Sequence, residues 1–179
     1  VKQIQNGSFS RVFVSGPQRS GTTIVTKMLA SDLGFAERQE LPNLHEANAL
    51  SAGVVAQCPQ ITSVLHEIRA PESVVVFMCR GLKDIIASGD RIGWNATPNS
   101  RGHEHELPEL AKYQEKFPEY FIEGYHISSI VQNVWLSHQM TAMKVPFVNL
   151  PYDNIKDHPL YVSKSLRKNF KYKQCRNQD

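Results

Sequence analysis

The amino-acid sequence predicts an α/β fold, a three-layer sandwich with a mostly parallel central sheet. Short apolar runs of strand length alternate along the chain with segments of helical periodicity, which is the order that builds a parallel sheet covered by helices. The strongest run, Ser73–Cys79, is continuously apolar and β-branched, as expected of a strand buried on both faces. A length of 179 residues suits one domain, so we treat residues 1–179 as a single domain.

The order of elements follows from apolar spacing and from turn residues. A first strand ends at a Gly-Pro turn, apolar residues from Ile24 to Leu29 then recur at helical spacing, and Gly34 stands where a helix C-cap is expected. We expect strands at 12–15, 34–37, 73–79 and 145–150. We expect helices at 22–33, 45–56, 61–68, 82–88 and 124–142, and a loop over 95–107.

Composition narrows the classes of partner. The chain is 41% hydrophobic and 21% charged with a net charge of +3, which does not call for nucleic acid and suits an anionic small ligand. No apolar run reaches the roughly 18 residues of a membrane span, so we expect no stable membrane insertion. Residues 1–6 lack the apolar stretch of a signal peptide.

The cysteines Cys58, Cys79 and Cys175 form no Cys-x-x-Cys pair, and we interpret them as free thiols in the cytoplasm.

The segment that follows the first strand has the pattern of a phosphate-binding loop. Gly16 and Gly21 keep the spacing of the nucleotide-binding pattern G-x-x-x-x-G-K-[ST], and a helix is expected to begin directly afterwards. Backbone N–H groups in such a turn, together with the helix N-terminus, attract anions. Thr22 stands where nucleoside triphosphatases carry lysine, and Arg19 supplies a cation three positions earlier. We therefore expect a phosphate-rich adenine nucleotide here, against the plainer alternative of a tight turn without a ligand.

Two further polar motifs follow predicted strands. Arg80 comes directly after the strand 73–79, and Ser88 lies about two helical turns further on, so that a guanidinium and a hydroxyl can hold a phosphate between them. Tyr152 follows the strand 145–150. Because ligands of open parallel sheets bind beyond the carboxyl ends of the strands, we expect the three motifs to converge at one edge of the sheet.

The loop Pro17–Thr23 resembles the 5′-phosphosulfate-binding loop of the sulfotransferases, whose donor is 3′-phosphoadenosine 5′-phosphosulfate (PAPS). Arginine at position 19, in place of lysine, resembles the tyrosylprotein branch of that family. The resemblance implies a P-loop nucleotide-hydrolase-like fold and adenosine 3′,5′-bisphosphate (PAP) as the product. It also implies that no metal is required, since the loop and Arg19 supply the positive field.

The resemblance assigns a role to each nucleotide-binding residue. Backbone N–H groups and hydroxyls of the loop would bind the 5′-phosphate, and Arg19 would stabilise the charge that builds up between donor and leaving group. In the family, an arginine with a serine eight positions later binds the 3′-phosphate, and a strand-end tyrosine lies near the adenine. The implied donor-binding residues are Arg19, Ser20, Gly21, Thr22, Thr23, Arg80, Ser88 and Tyr152.

Two residues are candidates for the general base. In tyrosylprotein-type relatives a glutamate lies twenty-one residues after the loop arginine, and Glu40 has that spacing from Arg19. Other branches of the family use histidine, which makes His45 the second choice. The catalytic residues expected from the resemblance are thus Arg19 with Glu40 or His45.

The predicted function is transfer of a sulfuryl group from PAPS to a hydroxyl or amine of a small-molecule, carbohydrate or peptide acceptor. A P-loop small-molecule or nucleotide kinase is one alternative, but it predicts lysine at position 22 and an acid after a strand, where the strand 73–79 ends in Cys79 and Arg80. A non-catalytic nucleotide-binding module is the other. The acceptor pocket is expected to be lined by segments 41–70 and 92–125. Side chains there that suit a sugar, a phenol or a peptide are Trp94, His103, His105, Tyr113 and Tyr120.

Overall fold

The computed structural model describes residues 9–93, 115 and 145–155, and a parallel sheet organises them. The strands in this part of the chain are β1 (Arg11–Ser15), β2 (Ala36–Arg38), β3 (Val54–Gln57), β4 (Ser73–Cys79) and β5 (Phe147–Pro151). They are arranged in the order β2-β3-β1-β4-β5, and every neighbouring pair is parallel. The predicted parallel sheet is confirmed, with β1 at its centre.

Helices cover the sheet. The helical elements of the described residues are α1 (Thr22–Leu33), α2 (Leu44–Asn48), a 3-10 helix (Pro59–Glu67), α3 (Leu82–Asp90) and a short 3-10 turn (Tyr152–Asn154). Helix α1 ends as its sequence predicts, because Gly34 adopts a left-handed φ of 67° and its N–H binds the carbonyl of Ser31.

Alternation along β1 divides the core into two apolar clusters. Val12 and Val14 pack with α1, whereas Phe13 points to the opposite face and packs with Ile61 and Leu65 of the 3-10 helix. All five side chains are at most 2% exposed. The sheet is therefore buried between two helical layers, which confirms the predicted three-layer α/β sandwich.

Arg11 ties the starts of the strands together at the amino edge of the sheet. Its Nε donates to the carbonyl of Leu50 at 2.7 Å, and its Nη1 donates to the carbonyl of Pro71 at 2.8 Å. The Ser10 hydroxyl donates to the Glu72 carboxylate at 2.7 Å. These bonds link the segments that lead into β1, β3 and β4.

One predicted helix is wrong in part. Within the segment 45–56 only residues 45–48 are helical, as part of α2, and Val54–Gln57 forms a strand between β1 and β2. Periodicity cannot separate a short, fully buried strand from a buried helical segment. Gly53, with a φ of 75°, stops any helix from running through.

Smaller differences concern the ends of elements. The second strand begins at Ala36 rather than at Gly34, because Gly34 caps α1. The helix expected at 61–68 is a 3-10 helix over Pro59–Glu67.

Several predictions fall outside the described residues. These are the loop 95–107, the helix 124–142, Cys175 and the acceptor-side residues Trp94, His103, His105, Tyr113 and Tyr120. That residues 1–179 form a single domain stays a prediction. Among the described residues, no helix is both long enough and apolar enough to cross a membrane.

Candidate functional site

The loop after β1 lies at the point of the sheet where the connections diverge. From β1 the chain crosses to β2 on one side, and the neighbours of β1 are β3 on that side and β4 on the other. In open parallel sheets such a point forms a crevice at the carboxyl ends of the strands. The loop Gly16–Gly21 occupies it, with the ends of β3 and β4 on either side.

The backbone of the loop is fixed, and its first glycine has no room for a side chain. Gly16 adopts a φ of 132°, and a Cβ there would lie 2.6 Å from the carbonyl oxygen of Met78. The Ser20 hydroxyl donates to the carbonyl of Pro17 at 2.6 Å. The Thr62 hydroxyl donates to the carbonyl of Pro59 at 2.7 Å and also lies 3.3 Å from the carbonyl oxygen of Gly16. A buried strand, a glycine-bounded loop and a helix in this order form the arrangement of P-loop nucleotide-hydrolase folds, as predicted.

The N-terminus of α1 faces this loop with its first-turn N–H groups available. Gly21 is the N-cap, with a φ of 96° and no side chain to cap the helix, and the first turn contains no acid. Such a helix end favours an anion, through its N–H groups and through the helix dipole. A Cβ at Gly21 would lie 2.8 Å from the ring of Tyr152, so glycine is also required for packing.

The three polar motifs meet at this edge, which confirms their predicted convergence. Arg19 Nε donates to the hydroxyl of Ser88, on α3, at 3.1 Å. Arg80 Nη1 donates to the backbone carbonyl of Arg19 at 2.7 Å. The guanidinium carbon of Arg80 lies 4.3 Å from the centre of the Tyr152 ring, within the range of a cation–π contact. Two arginines and Ser88, a residue that is 2% exposed, thus surround one end of the loop.

Gln57, at the end of β3, is a residue of the site that the sequence did not reveal. Its side-chain Nε2 donates to the hydroxyl of Thr22 at 3.2 Å and to that of Thr23 at 3.0 Å. The segment was expected to be helical, and a strand end was therefore not considered there. The available signal was a polar residue closing the apolar run Val54–Ala56.

The two candidate bases lie in different settings. Glu40 follows β2, is exposed, and accepts a hydrogen bond from Gln60 Nε2 at 3.3 Å. The next residue, Leu41, donates its N–H to the carbonyl of Gln57 at 2.8 Å, so the main chain beside Glu40 is attached to the strand end that contacts the loop. His45 is exposed on α2.

Backbone strain coincides with two of the predicted catalytic residues. Among the described residues, the non-glycine residues with positive φ are Arg19 at 67°, Glu40 at 39° and Glu72 at 49°. Such conformations cost about 1–3 kcal/mol each and persist where surrounding contacts enforce them, often at functional sites. Glu72 is held by Ser10 and Arg11, whose N–H groups bind its carbonyl at the amino edge. Arg19 and Glu40 both lie at the opposite edge of the sheet, beyond the carboxyl ends of β1 and β2.

The described cysteines are not suited to nucleophilic chemistry. Burial raises the pKa of the Cys58 thiol from 9.0 to about 12, despite a hydrogen bond with Ser15 that lowers it. Burial also raises the pKa of Cys79 to about 11. Both side chains are therefore protonated at neutral pH, although Cys79 directly precedes Arg80.

Comparison with known proteins supplies structural likenesses. The sequence matches no protein-family model and no curated protein. A shikimate kinase from Acinetobacter baumannii in complex with shikimate aligns with a TM-score of 0.43 and 14% identity, over 76% of this chain and 96% of that chain. A sugar kinase from a Janibacter species aligns with a TM-score of 0.39 and 12% identity, over 89% of this chain and 91% of that chain. Both are kinases, the activity of the alternative prediction, but likeness at this level carries no functional argument for this chain.

Proposed function

We propose that this chain is a sulfotransferase that moves a sulfuryl group from PAPS to a hydroxyl or amine of its acceptor. The contact between Arg19 and Ser88 carries the proposal, because it joins the phosphate loop to a second place suited to an anion. PAPS carries anionic groups at both the 5′ and the 3′ position of its ribose. A site with two adjoining anion-binding parts matches such a donor better than a nucleotide with a single phosphate chain.

The loop would hold the 5′ end of the donor. N–H groups of residues 21–23 and the hydroxyls of Thr22 and Thr23 would bind the 5′-phosphate at the N-terminus of α1. The N–H and the hydroxyl of Ser20 both donate to the carbonyl of Pro17, so Ser20 would shape the loop instead of binding the phosphate directly. Arg19 would neutralise charge as the bond between sulfur and the bridging oxygen breaks, and PAP would leave. Its left-handed backbone directs this residue to the edge where Ser88 lies.

Arg80 and Ser88 would hold the 3′-phosphate. An arginine and a hydroxyl form charge-assisted hydrogen bonds to phosphate, and Ser88 is already in contact with the loop cation. Tyr152 stacks on Arg80 and packs over Gly21, so its ring borders both anion-binding parts, and the adenine of the donor would lie near it.

Glu40 is the proposed general base, with His45 as the second candidate. Its carboxylate would take the proton of the acceptor hydroxyl as that oxygen forms its bond to sulfur. Support comes from its strained backbone and from the hydrogen bond that attaches Leu41 to the end of β3. Substrate positioning would come from the acceptor pocket, for which we propose a small-molecule, carbohydrate or peptide ligand.

Two residues argue against the kinase alternative. Thr22 provides no ammonium group for the β- and γ-phosphates of a nucleoside triphosphate. P-loop triphosphatases hold Mg²⁺ between the loop Ser/Thr and an acid, whereas the side chain that contacts Thr22 and Thr23 here is the neutral amide of Gln57.

Titration calorimetry tests the proposal. The wild-type chain is expected to bind PAP in preference to Mg·ATP, and Arg80→Ala to weaken PAP binding by about 10-fold or more. Arg69→Ala, at an exposed position before β4, removes the same charge and serves as the control. Preference for Mg·ATP would support the kinase, and binding of neither nucleotide would support a non-catalytic module.

A further inference from the structure

Gln57 occupies the position from which β3 reaches the phosphate loop. Its side chain is 4% exposed, and its amide nitrogen bonds two hydroxyls at the start of α1. Its backbone is held on both sides, since it pairs with Val14 of β1 and its carbonyl accepts the N–H of Leu41. A side chain fixed in this way can impose a direction on the groups that it contacts.

The direction of these hydrogen bonds determines what the two hydroxyls can do. A hydroxyl has one proton to donate, and it accepts through its lone pairs. Because Gln57 Nε2 is the donor to both hydroxyls, the protons of Thr22 and Thr23 remain available for a phosphate oxygen. A carboxylate at position 57 would have the opposite effect, since it can only accept.

We propose, on the basis of the function proposed above, that Gln57 is a positioning residue that makes the loop bind phosphate without a divalent cation. It directs both threonine hydroxyls as donors toward the nucleotide and adds no negative charge beside it. A glutamate in its place would accept hydrogen bonds from both hydroxyls, which would then no longer donate to the phosphate, and its charge would repel the phosphate. Mg²⁺ between the carboxylate and the phosphate oxygens would then be needed to restore binding.

The test is a titration of PAP in EDTA and again in excess Mg²⁺. The wild type is expected to bind equally in both buffers, within about twofold. Gln57→Glu should bind about 10-fold more weakly or worse in EDTA and recover most of the loss in Mg²⁺. Gln57→Met, which keeps the length without the amide, should lose about 10-fold and show no response to Mg²⁺.

Gln39→Glu is the matched control. This exposed glutamine bonds Glu37 instead of the loop, and its substitution makes the same change in charge. Its PAP affinity is expected to stay within about twofold of wild type in both buffers.

A second measurement covers the case in which Gln57→Glu does not fold. Thr23 is exposed at the start of α1, so Thr23→Val leaves the core intact. If Gln57 acts through the hydroxyls, the double variant Gln57→Met/Thr23→Val loses less affinity than the product of the two single fold-losses. If the fold-losses of the two single variants simply multiply in the double variant, Gln57 does not act through Thr23, and the proposal is overturned.

Other results also overturn it and are separable from failure of the proposed function. Wild-type affinity of Gln57→Glu in EDTA, or equal losses in Gln57→Glu and Gln57→Met with no response to Mg²⁺, would reduce Gln57 to a packing role while PAP binding stands. If the wild type binds ATP but not PAP, the sulfotransferase falls, and the same variants titrated with ATP decide the role of Gln57. If the wild type binds neither nucleotide, both proposals fall.

Discussion

Arg19 Nε donates a hydrogen bond to the Ser88 hydroxyl at 3.1 Å, although 69 positions separate the two residues in sequence. The bond joins the loop that would bind the 5′-phosphate to the helix that would bind the 3′-phosphate. In the proposed site, each anion-binding part is thus in position to influence the other.

We expect Arg19→Ala and Ser88→Ala to show energetic coupling in PAP binding. Each should weaken binding by about 1–3 kcal/mol, and the double variant should lose about 1 kcal/mol less than the sum, because either change breaks the same contact. Calorimetric titration of the four proteins measures this cycle, with Ser31→Ala on the exposed face of α1 as control. Strict additivity would show that the contact has no part in nucleotide binding.

Glu40→Gln should keep PAP affinity and lower turnover by about 10² or more, because an amide cannot remove the proton from the hydroxyl of the acceptor substrate. The measurement is release of PAP from PAPS in the presence of phenolic, sugar and tyrosine-peptide acceptors. Glu37→Gln, an exposed change of the same charge on β2, should retain full turnover. Retained activity in Glu40→Gln together with loss in His45→Gln would transfer the role to His45.

Gly21→Ala should be much more damaging than Gly34→Ala, although both glycines have positive φ. At Gly34 a Cβ meets no atom within 4 Å, so the cost is the left-handed backbone alone, about 1 kcal/mol. At Gly21 the Cβ would lie 2.8 Å from the Tyr152 ring, and we expect an additional loss of about 1–3 kcal/mol and weaker PAP binding. Urea denaturation measures the difference.

The clash at Gly21 can be tested separately from its backbone strain. Gly21→Ala should cost less free energy of unfolding in the Tyr152→Ala background than in the wild type, because the ring that a Cβ would meet is absent. An equal cost in both backgrounds would mean that the backbone strain at Gly21 accounts for the whole effect.

The buried thiol of Cys58 predicts a loss of stability in alkali. Its pKa is about 12 in the folded chain against 9.0 for an ordinary thiol, so above pH 9 the unfolded chain releases a proton that the folded chain retains. The free energy of unfolding should then fall by about 1.4 kcal/mol per pH unit between pH 9 and 12, with no contribution from this group below pH 9. Denaturation of Cys58→Ala should show a shallower decline over that range. An equally steep decline in this variant would assign the effect to other groups.

Much of the fold could be predicted because its clearest strands are continuously apolar. β4 begins and ends where its sequence predicts, and β1 differs by one residue. β3 could not be predicted, since Val54–Gln57 is short and buried and its identity depends on pairing with β1 and β2. Such pairing is a tertiary property that local spacing does not contain.

The site could be predicted where its residues are part of a local pattern. The loop glycines and the eight-residue spacing of Arg80 and Ser88 are visible in sequence, and the convergence of the motifs follows from a parallel sheet. Contacts that depend on side-chain direction could not be predicted. They include the bond from Arg19 to Ser88, the stacking of Arg80 on Tyr152, and the amide of Gln57 on two threonines.

The network of Arg11 at the amino edge has a practical consequence for handling the protein. It joins the starts of three strands at the amino edge of the sheet, whereas Arg19, Gln57 and Arg80 lie at the carboxyl edge. Ala52, exposed in the bend before β3, is therefore a suitable position for an Ala52→Cys attachment to a surface or a fluorophore. A protein attached through residue 52 would present its phosphate loop to the solution. Ligand binding could then be measured without modifying the site.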